Sequence, residues 1–321
     1  MSSRKAVWRA RYSPFMSIAL GRPGALQPVS RAGATAARTT LRHIRNHPAV
    51  QRQRNRACAR YIGWQIWQRT TRRPVTIDLH GSVRLRCHPH STSASAVLYC
   101  RLPDWMEMRF LLDYLNPGDV FVDVGANVGV YTLLAASLPG VHCIAFEPSS
   151  DSWDQLIENI NLNQLSQVEV HRVAVGDQSG EIDFTIGHGT VNQVASPDIA
   201  SRRERVPVVR LDDVVPHDRR VTLIKIDVEG HEPAVLDGAR ALIERLAPAL
   251  LVEYNHPARL RSLLDELDYH PVVYNPETRA FRAIELDRES PKNILALKKS
   301  ILDQYLPDNG VGTGRAKGTS K

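Results

Sequence analysis

The chain has 321 residues, 43% of them hydrophobic and 23% charged, a balance that suits a globular core. No apolar run approaches the roughly 18–20 residues of a membrane-spanning helix. The net charge of +7 would suggest a nucleic-acid or anionic-membrane partner. Met1 to Thr76, however, holds 16 Lys and Arg and no acid, so the rest of the chain is net acidic and nucleic acid is rejected as the default substrate.

Residues 1–57 show no sustained period and read as a flexible basic leader. Their apolar patch, Phe15 to Leu20, is too short for a secretory core and is followed by Arg22. A transit peptide, a basic tail and an overlong start all fit this composition. Residues 58–115 read as an extension: a short helix over Cys58–Arg69, a β-hairpin over Val75–Tyr99 turning at His80-Gly81-Ser82, and a helix from Trp105 to Leu115 with Asp104 as N-cap.

Strand–helix alternation begins at Asp119 and defines a domain over 116–300. Strands are expected at Val120–Val124, Val141–Phe146, Val168–Val175, Val221–Ile226 and Leu250–Glu253. Helices are expected at Val130–Ser137, Ser152–Leu162 and Glu232–Leu246, with another ending at Leu267. Additional strands are expected at Ile182–Ile186 and Val206–Leu211, and short ones at Pro271–Tyr274, Phe281–Ile284 and Asn293–Leu297. Near-continuous apolar strands between helices imply an α/β fold with a parallel sheet covered on both faces. Residues 301–321 read as a flexible tail. Cys58, Cys87, Cys100 and Cys143 form no C-x-x-C pair, so neither a disulfide framework nor a zinc site is expected, and a reducing, cytoplasmic setting fits.

Three motifs carry chemistry. Asp123-Val-Gly125-Ala-Asn127-Val-Gly129 follows a strand and opens a helix, where glycines let the backbone turn sharply and approach a ligand. A dinucleotide fingerprint would need glycines where Asn127 and Val130 stand, so NAD is disfavoured. Asp123 can meet an ammonium, directly or through water. Glu147 ends the second strand, where an acid can hold ribose hydroxyls. Lys225-Ile-Asp227-Val-Glu229-Gly230-His231-Glu232 ends the fourth core strand. His231 has the intrinsic pKa of a neutral-pH base, and Asp227 or Glu229 could serve only if a neighbour raised its pKa. Glu232 can cap the next helix. A fourth segment, Glu253-Tyr-Asn255-His256, can line an acceptor pocket or simply form a hydrogen-bonded loop. With Asp227 it offers hard oxygen ligands, but no spacing demands a metal and none is expected.

Together, Phe121–Thr132, Phe146-Glu147-Pro148, Val173–Asp177 and Ile226–Glu232 resemble the FkbM-family methyltransferases, over about residues 100–297. The resemblance implies a Rossmann-like class I fold with a mostly parallel seven-stranded sheet, and O-methylation of sugars or secondary metabolites from S-adenosylmethionine. It implies that Asp123, Gly125, Asn127 and Gly129 wrap the methionine part and that Glu147 holds the ribose. Ala174 to Asp177 would flank the adenine, and Asp227 to Glu232 would face the methyl group. The expected reaction is one in-line displacement, with His231 as base and Asp227 and Glu229 beside it. Rival readings are methylation of nitrogen or of a macromolecule, and a non-catalytic cofactor-binding module docked by its basic leader. The acceptor pocket is expected from Cys58–Leu115 and from the loop Gly187–Arg205; the faces of Trp64, Trp67 and Trp105 can stack on sugars, but packing into the core is their expected use.

Overall fold

The computed structural model describes residues 31–186, 202–286, 289 and 291–305. The N-terminal part runs α1 (Arg31–Asn46), a 3-10 turn (Pro48–Gln53), α2 (Arg54–Thr70), β1 (Val75–His80), β2 (Val83–Cys87), α3 (Thr92–Cys100) and α4 (Trp105–Tyr114). This corrects the flexible-leader reading for residues 31–57. Ile44, Val50, Ala57 and Tyr61 are buried against Ala96, Tyr99 and Cys100 of α3. A fully buried Ile is worth about 1.5–3 kcal/mol, which here orders a segment whose acid-free composition reads as disorder. Residues 1–30, with the Phe15–Leu20 patch, lie outside the described residues.

The hairpin is also shorter than expected. β1 and β2 pair antiparallel, but Thr92–Cys100 is helical because its small side chains are enclosed on nearly every side. Trp64 of α2 donates its indole N–H to Ser95 Oγ of α3 at 2.8 Å. That bond satisfies the polar tip of a buried ring and ties the two helices together.

The remaining elements are β3 (Val120–Val124), α5 (Val130–Ala136), β4 (His142–Phe146), α6 (Ser150–Asn163), β5 (Val168–His171), β6 (Ala174–Val175), β7 (Gly180–Ile186), β8 (Arg202–Val209), α7 (Leu211–Val214), β9 (Val221–Ile226), α8 (Glu232–Asp237), α9 (Arg240–Leu246), β10 (Ala249–Glu253), α10 (Pro257–Glu266), β11 (Tyr269–Asn275), β12 (Ala280–Ala283), β13 (Asn293–Lys298) and α11 (Lys299–Leu302). The main sheet has the order β12-β11-β13-β10-β9-β3-β4-β5. Five strands, β5-β4-β3-β9-β10, are parallel. β13, β11 and β12 add antiparallel.

The seven-stranded, mostly parallel sheet is therefore corrected to a mixed sheet of eight. Only the strands separated by crossover helices can run parallel; β11 and β12 are joined by a short turn and must reverse. The expected third strand also divides. Val168–His171 stays in the main sheet, whereas β6 pairs with β8 in a separate sheet, β6-β8-β7. The expected helix Glu232–Leu246 breaks into α8 and α9 at Gly238, where a Cβ would stand 1.9 Å from the Gly176 carbonyl oxygen.

Strand alternation fills both layers. Phe121, Leu223 and Leu251 face one side, with α5, α6 and the hairpin. Val122, Val124, Ile224, Ile226 and Val252 face the other, with α8, α9 and α10. Val124 is level with Phe146 on one side and Ile226 on the other. The chain leaves β3 toward β4 and β5, then returns to β9 and β10. Above these strand ends lies the switch point where open α/β sheets bind ligands.

Candidate active site

A crevice opens at that switch point, lined by Val124, Gly125, Asn127, Phe146, Glu147, Pro148, Val173, Ala174, Val175, Phe184, Asp227, Val228, Glu229 and His231. Seven of the expected residues, Gly125, Asn127, Glu147, Ala174, Asp227, Glu229 and His231, meet in it. Asp123, Gly129 and Asp177 are not in its lining. Of the apolar wall of Phe146, Val173, Val175 and Phe184, the first three fall within the sequence motifs and Phe184 does not. Only the burial of the neighbouring strands could have signalled it.

The glycine loop is fixed by main-chain contacts. The Gly125 and Ala126 amides both donate to the Phe146 carbonyl at 3.0 Å, and the Asp227 amide donates to Val124. Gly125 has φ +79°, and a Cβ there would stand 2.0 Å from the Asp227 carbonyl oxygen. The position thus needs glycine for backbone conformation and for close approach of the β9 turn. Gly129 sits at φ +90°, which favours glycine, and a Cβ there would also press on Leu156 Cδ1 of α6 at 2.5 Å.

Glu147 closes the loop. Its Oε2 accepts from the Asn127 amide at 2.7 Å and its Oε1 from the Ser149 amide at 2.9 Å. Burial pushes this carboxyl up to about 7, although both amide bonds oppose the shift. Each carboxylate oxygen has two lone pairs, so the group can still accept from a ligand hydroxyl. Asn127 sits at φ +52° and turns its Oδ1 back onto the Val128 amide.

Asp123 is fully buried beneath the loop. Thr132 Oγ1 donates to its Oδ2 at 2.6 Å, and Lys225 Nζ lies 3.8 Å from Oδ1. Burial raises its pKa, with Lys225 and Thr132 opposing. Lys225 reaches Asp227 at 3.0 Å and stands 5.0 Å above the Tyr131 ring. Burial also favours protonation of Asp227, but Lys225 and Lys292 outweigh it and hold the carboxyl below its usual value. Asp227 is therefore ionised at neutral pH.

On the other side of Asp227 lie Glu229 and Glu253. One oxygen from each of the three carboxylates lies within 4.8 Å of the others. Burial, with Asp227 adding to it, raises Glu229 to about 7 and Glu253 to about 8. Glu253 accepts from Asn255 Nδ2 at 2.7 Å, and Lys292 Nζ is 3.7 Å away. The same Asn255 amide reaches Glu232 Oε1 at 3.3 Å, which also accepts from the Gly230 amide. Glu232 thus holds the turn as well as opening α8. Lys225 and Lys292 flank this cluster, and its three carboxylate oxygens are close enough together to share an ion.

The imidazole of His231 lies against the backbone of Gly176, where a Cβ would be 3.2 Å from Nε2. Burial lowers its pKa, opposed by Asp177 and Glu232, so the ring is neutral. It belongs to the β6 side of the crevice rather than to the carboxylate cluster. Asp104 occupies the N-cap position of α4, yet its carboxylate accepts from the Tyr131 hydroxyl at 3.0 Å. Of the three tryptophans, Trp64 packs into the core as expected, whereas Trp67 lies on the outer surface. Trp105 begins α4, with Arg109 5.9 Å above its ring. Most of the expected acceptor loop, 187–201, lies outside the described residues.

The crevice suits a nucleoside joined to a small zwitterion. It offers an apolar slot on the β6 side, a buried acid at the β4 end and a glycine backbone at the β3 end, with no pyrophosphate cradle. Residues 123–271 match the methyltransferase FkbM domain. "Methyltransferase 1" of Beauveria bassiana is 30% identical over 190 residues, covering 50% of this chain and 76% of that protein. The 31-O-demethyl-FK506 methyltransferase FkbM of Streptomyces tacrolimicus is 32% identical over 158 residues, and the hexuronic acid methyltransferase AglP of Haloferax volcanii 28% over 145. These cover 39% and 41% of this chain, and 60% and 54% of the relatives. The crystal structure of methyltransferase FkbM from Methylobacillus flagellatus superposes with a TM-score of 0.40 at 21% identity, covering 64% of this chain and 53% of that one. The chain belongs to the FkbM family of S-adenosylmethionine-dependent methyltransferases.

Proposed function

We propose that this protein methylates a hydroxyl of a small acceptor, a sugar or a secondary metabolite, and that the two ends of its crevice divide the work. The observation that carries the reading is the juxtaposition of a cofactor-shaped crevice with Asp227, Glu229 and Glu253. When bound, S-adenosylmethionine supplies an activated methyl group on a sulfonium, so the protein's task is orientation and proton removal. Gly125 and Asn127 would carry the amino-acid end, Glu147 would accept from the ribose hydroxyls, and Ala174 with the apolar wall would enclose the adenine.

The base was expected at His231. The contact of its ring with Gly176 favours a different role, closing the adenosine side. Glu229 is the better base, because burial and the ionised Asp227 hold it near neutrality, the range in which a general base is most effective. Asp227 would orient the acceptor hydroxyl, and Glu253 would hold the cluster's second proton. The hydroxyl class rests on this carboxylate lining, which can accept from several hydroxyls at once, and on family membership. The names of FkbM and AglP point the same way.

The test is a screen of hydroxylated sugars and polyketide-like alcohols with methyl-labelled S-adenosylmethionine, the product being identified by mass spectrometry and NMR. A methyl ether is the expected product. A methylamine, or label found only in RNA or protein, would overturn the acceptor class.

A further inference from the structure

Helix α2 is apolar on two faces. Ala57, Tyr61 and Trp64 form its buried face. On the opposite side Ile62, Ile66 and Trp67 are 50%, 59% and 42% exposed. Helical spacing aligns Ala59, Ile62, Gly63 and Ile66 in one strip, with Trp67 at its border. A Cβ at Gly63 would meet nothing within 4 Å, so the strip is open along its length. Single exposed apolar residues are ordinary. Three large ones within two turns form a patch of the kind that marks an interaction surface.

The surrounding charge identifies that partner. Residues 31–76 contain 11 arginines, no lysine and no acid. Arg56 lies near the start of the strip, and Arg69, Arg72 and Arg73 gather at its end. Trp67 donates its indole N–H to the Arg73 carbonyl at 3.0 Å, which fixes the ring beside these charges. An apolar strip with an indole at its edge and arginines around it suits the headgroup boundary of an anionic bilayer. Nucleic acid would engage the arginines but gain nothing from Ile62 and Ile66. A second copy meeting it by the same face would bring two acid-free surfaces into contact. Among the described residues no helix is long and apolar enough to cross a membrane, so the contact would be a surface one. We propose that the outer face of α2 docks this protein on membranes carrying anionic lipid. The inference is independent of the acceptor assignment.

The full chain should be sedimented with phosphatidylcholine vesicles, with and without phosphatidylserine, and its oligomeric state measured by analytical ultracentrifugation. Binding is expected only with phosphatidylserine. Ile62→Ser/Ile66→Ser/Trp67→Ser should weaken partitioning at least about tenfold, since charge alone leaves attachment marginal. Arg72→Gln/Arg73→Gln should weaken it about fivefold per arginine. The melting temperature and the affinity for S-adenosylmethionine should stay unchanged in both variants. Three results would overturn the proposal: no binding to phosphatidylserine vesicles, binding that the apolar triple variant retains in full, or a wild-type dimer that this variant splits while vesicle binding is absent. Retained binding with a matching affinity for duplex RNA would reassign the face to nucleic acid.

Discussion

The two ends of the crevice are built by different means. At the β3–β4 end the geometry is made of backbone: Gly125 and Ala126 donate to Phe146, and Glu147 accepts from Asn127 and Ser149. At the β9–β10 end it is made of side-chain charge. Asp227, Glu229 and Glu253 converge from two strand ends, balanced by Lys225 and Lys292. The first is held by a set of main-chain hydrogen bonds. The second is an electrostatic device whose protonation is tuned near neutrality. If the two ends serve binding and proton transfer as proposed, substitution should separate them, and five experiments test that separation.

The largest effect is expected at Glu229. Glu229→Gln removes the proposed base while keeping its shape, so kcat should fall about 10²–10⁴-fold with cofactor affinity almost unchanged. His231→Ala should instead weaken cofactor binding. A kcat loss confined to His231→Ala would return the base to the imidazole. Next is Gly125→Ala, whose methyl would enter the Asp227 carbonyl at 2.0 Å and demand φ +79° of an alanine. We expect at least about a 100-fold loss of S-adenosylmethionine affinity, roughly 2.7 kcal/mol, read by calorimetry. Glu147→Gln sets an NH2 group against one of two N–H donors, that of Asn127 or that of Ser149. It should weaken the cofactor about tenfold and lower stability by about 1–3 kcal/mol.

The smallest effect is the pH dependence. Glu147 sits at about 7 because burial disfavours its charge. Ribose hydroxyls bind best to the ionised form, so affinity should rise as pH passes upward through 7 and level off above it. The slope is at most about tenfold per unit for a single proton. At saturating cofactor, kcat should climb separately between about 7 and 8, where Glu229 and Glu253 lose their protons. A flat affinity profile would remove Glu147 from ribose binding.

The backbone-built end was legible in the sequence and the charge-built end was not. Asp123-x-Gly125-x-Asn127-x-Gly129 is a local pattern, since the sharp turn and close approach it serves happen within a few residues of chain. Glu229 and Asp227 are visible as groups in the sequence, but not their pKa shifts, which depend first on burial and then on charges that include Lys292 from a distant segment. Asp104 stands at the N-cap of α4 as its sequence neighbours suggest, but the partner of its carboxylate, Tyr131, is 27 residues away. The sheet was misread where it reverses, because apolar alternation in β11–β13 records burial and not direction. Residues 31–57 were misread because composition hides the spacing of Ile44, Val50, Ala57 and Tyr61, which matters only once α3 is there to cover them.

The most direct measurement is calorimetric titration of S-adenosylmethionine into the full chain and into its Glu147→Gln and Glu229→Gln variants. If the two ends divide the work as proposed, the wild type binds, Glu147→Gln weakens the affinity about tenfold, and Glu229→Gln stays within about threefold of wild type. Equal losses in both variants, or a larger loss at Glu229, would contradict the division and make the crevice a single coupled site.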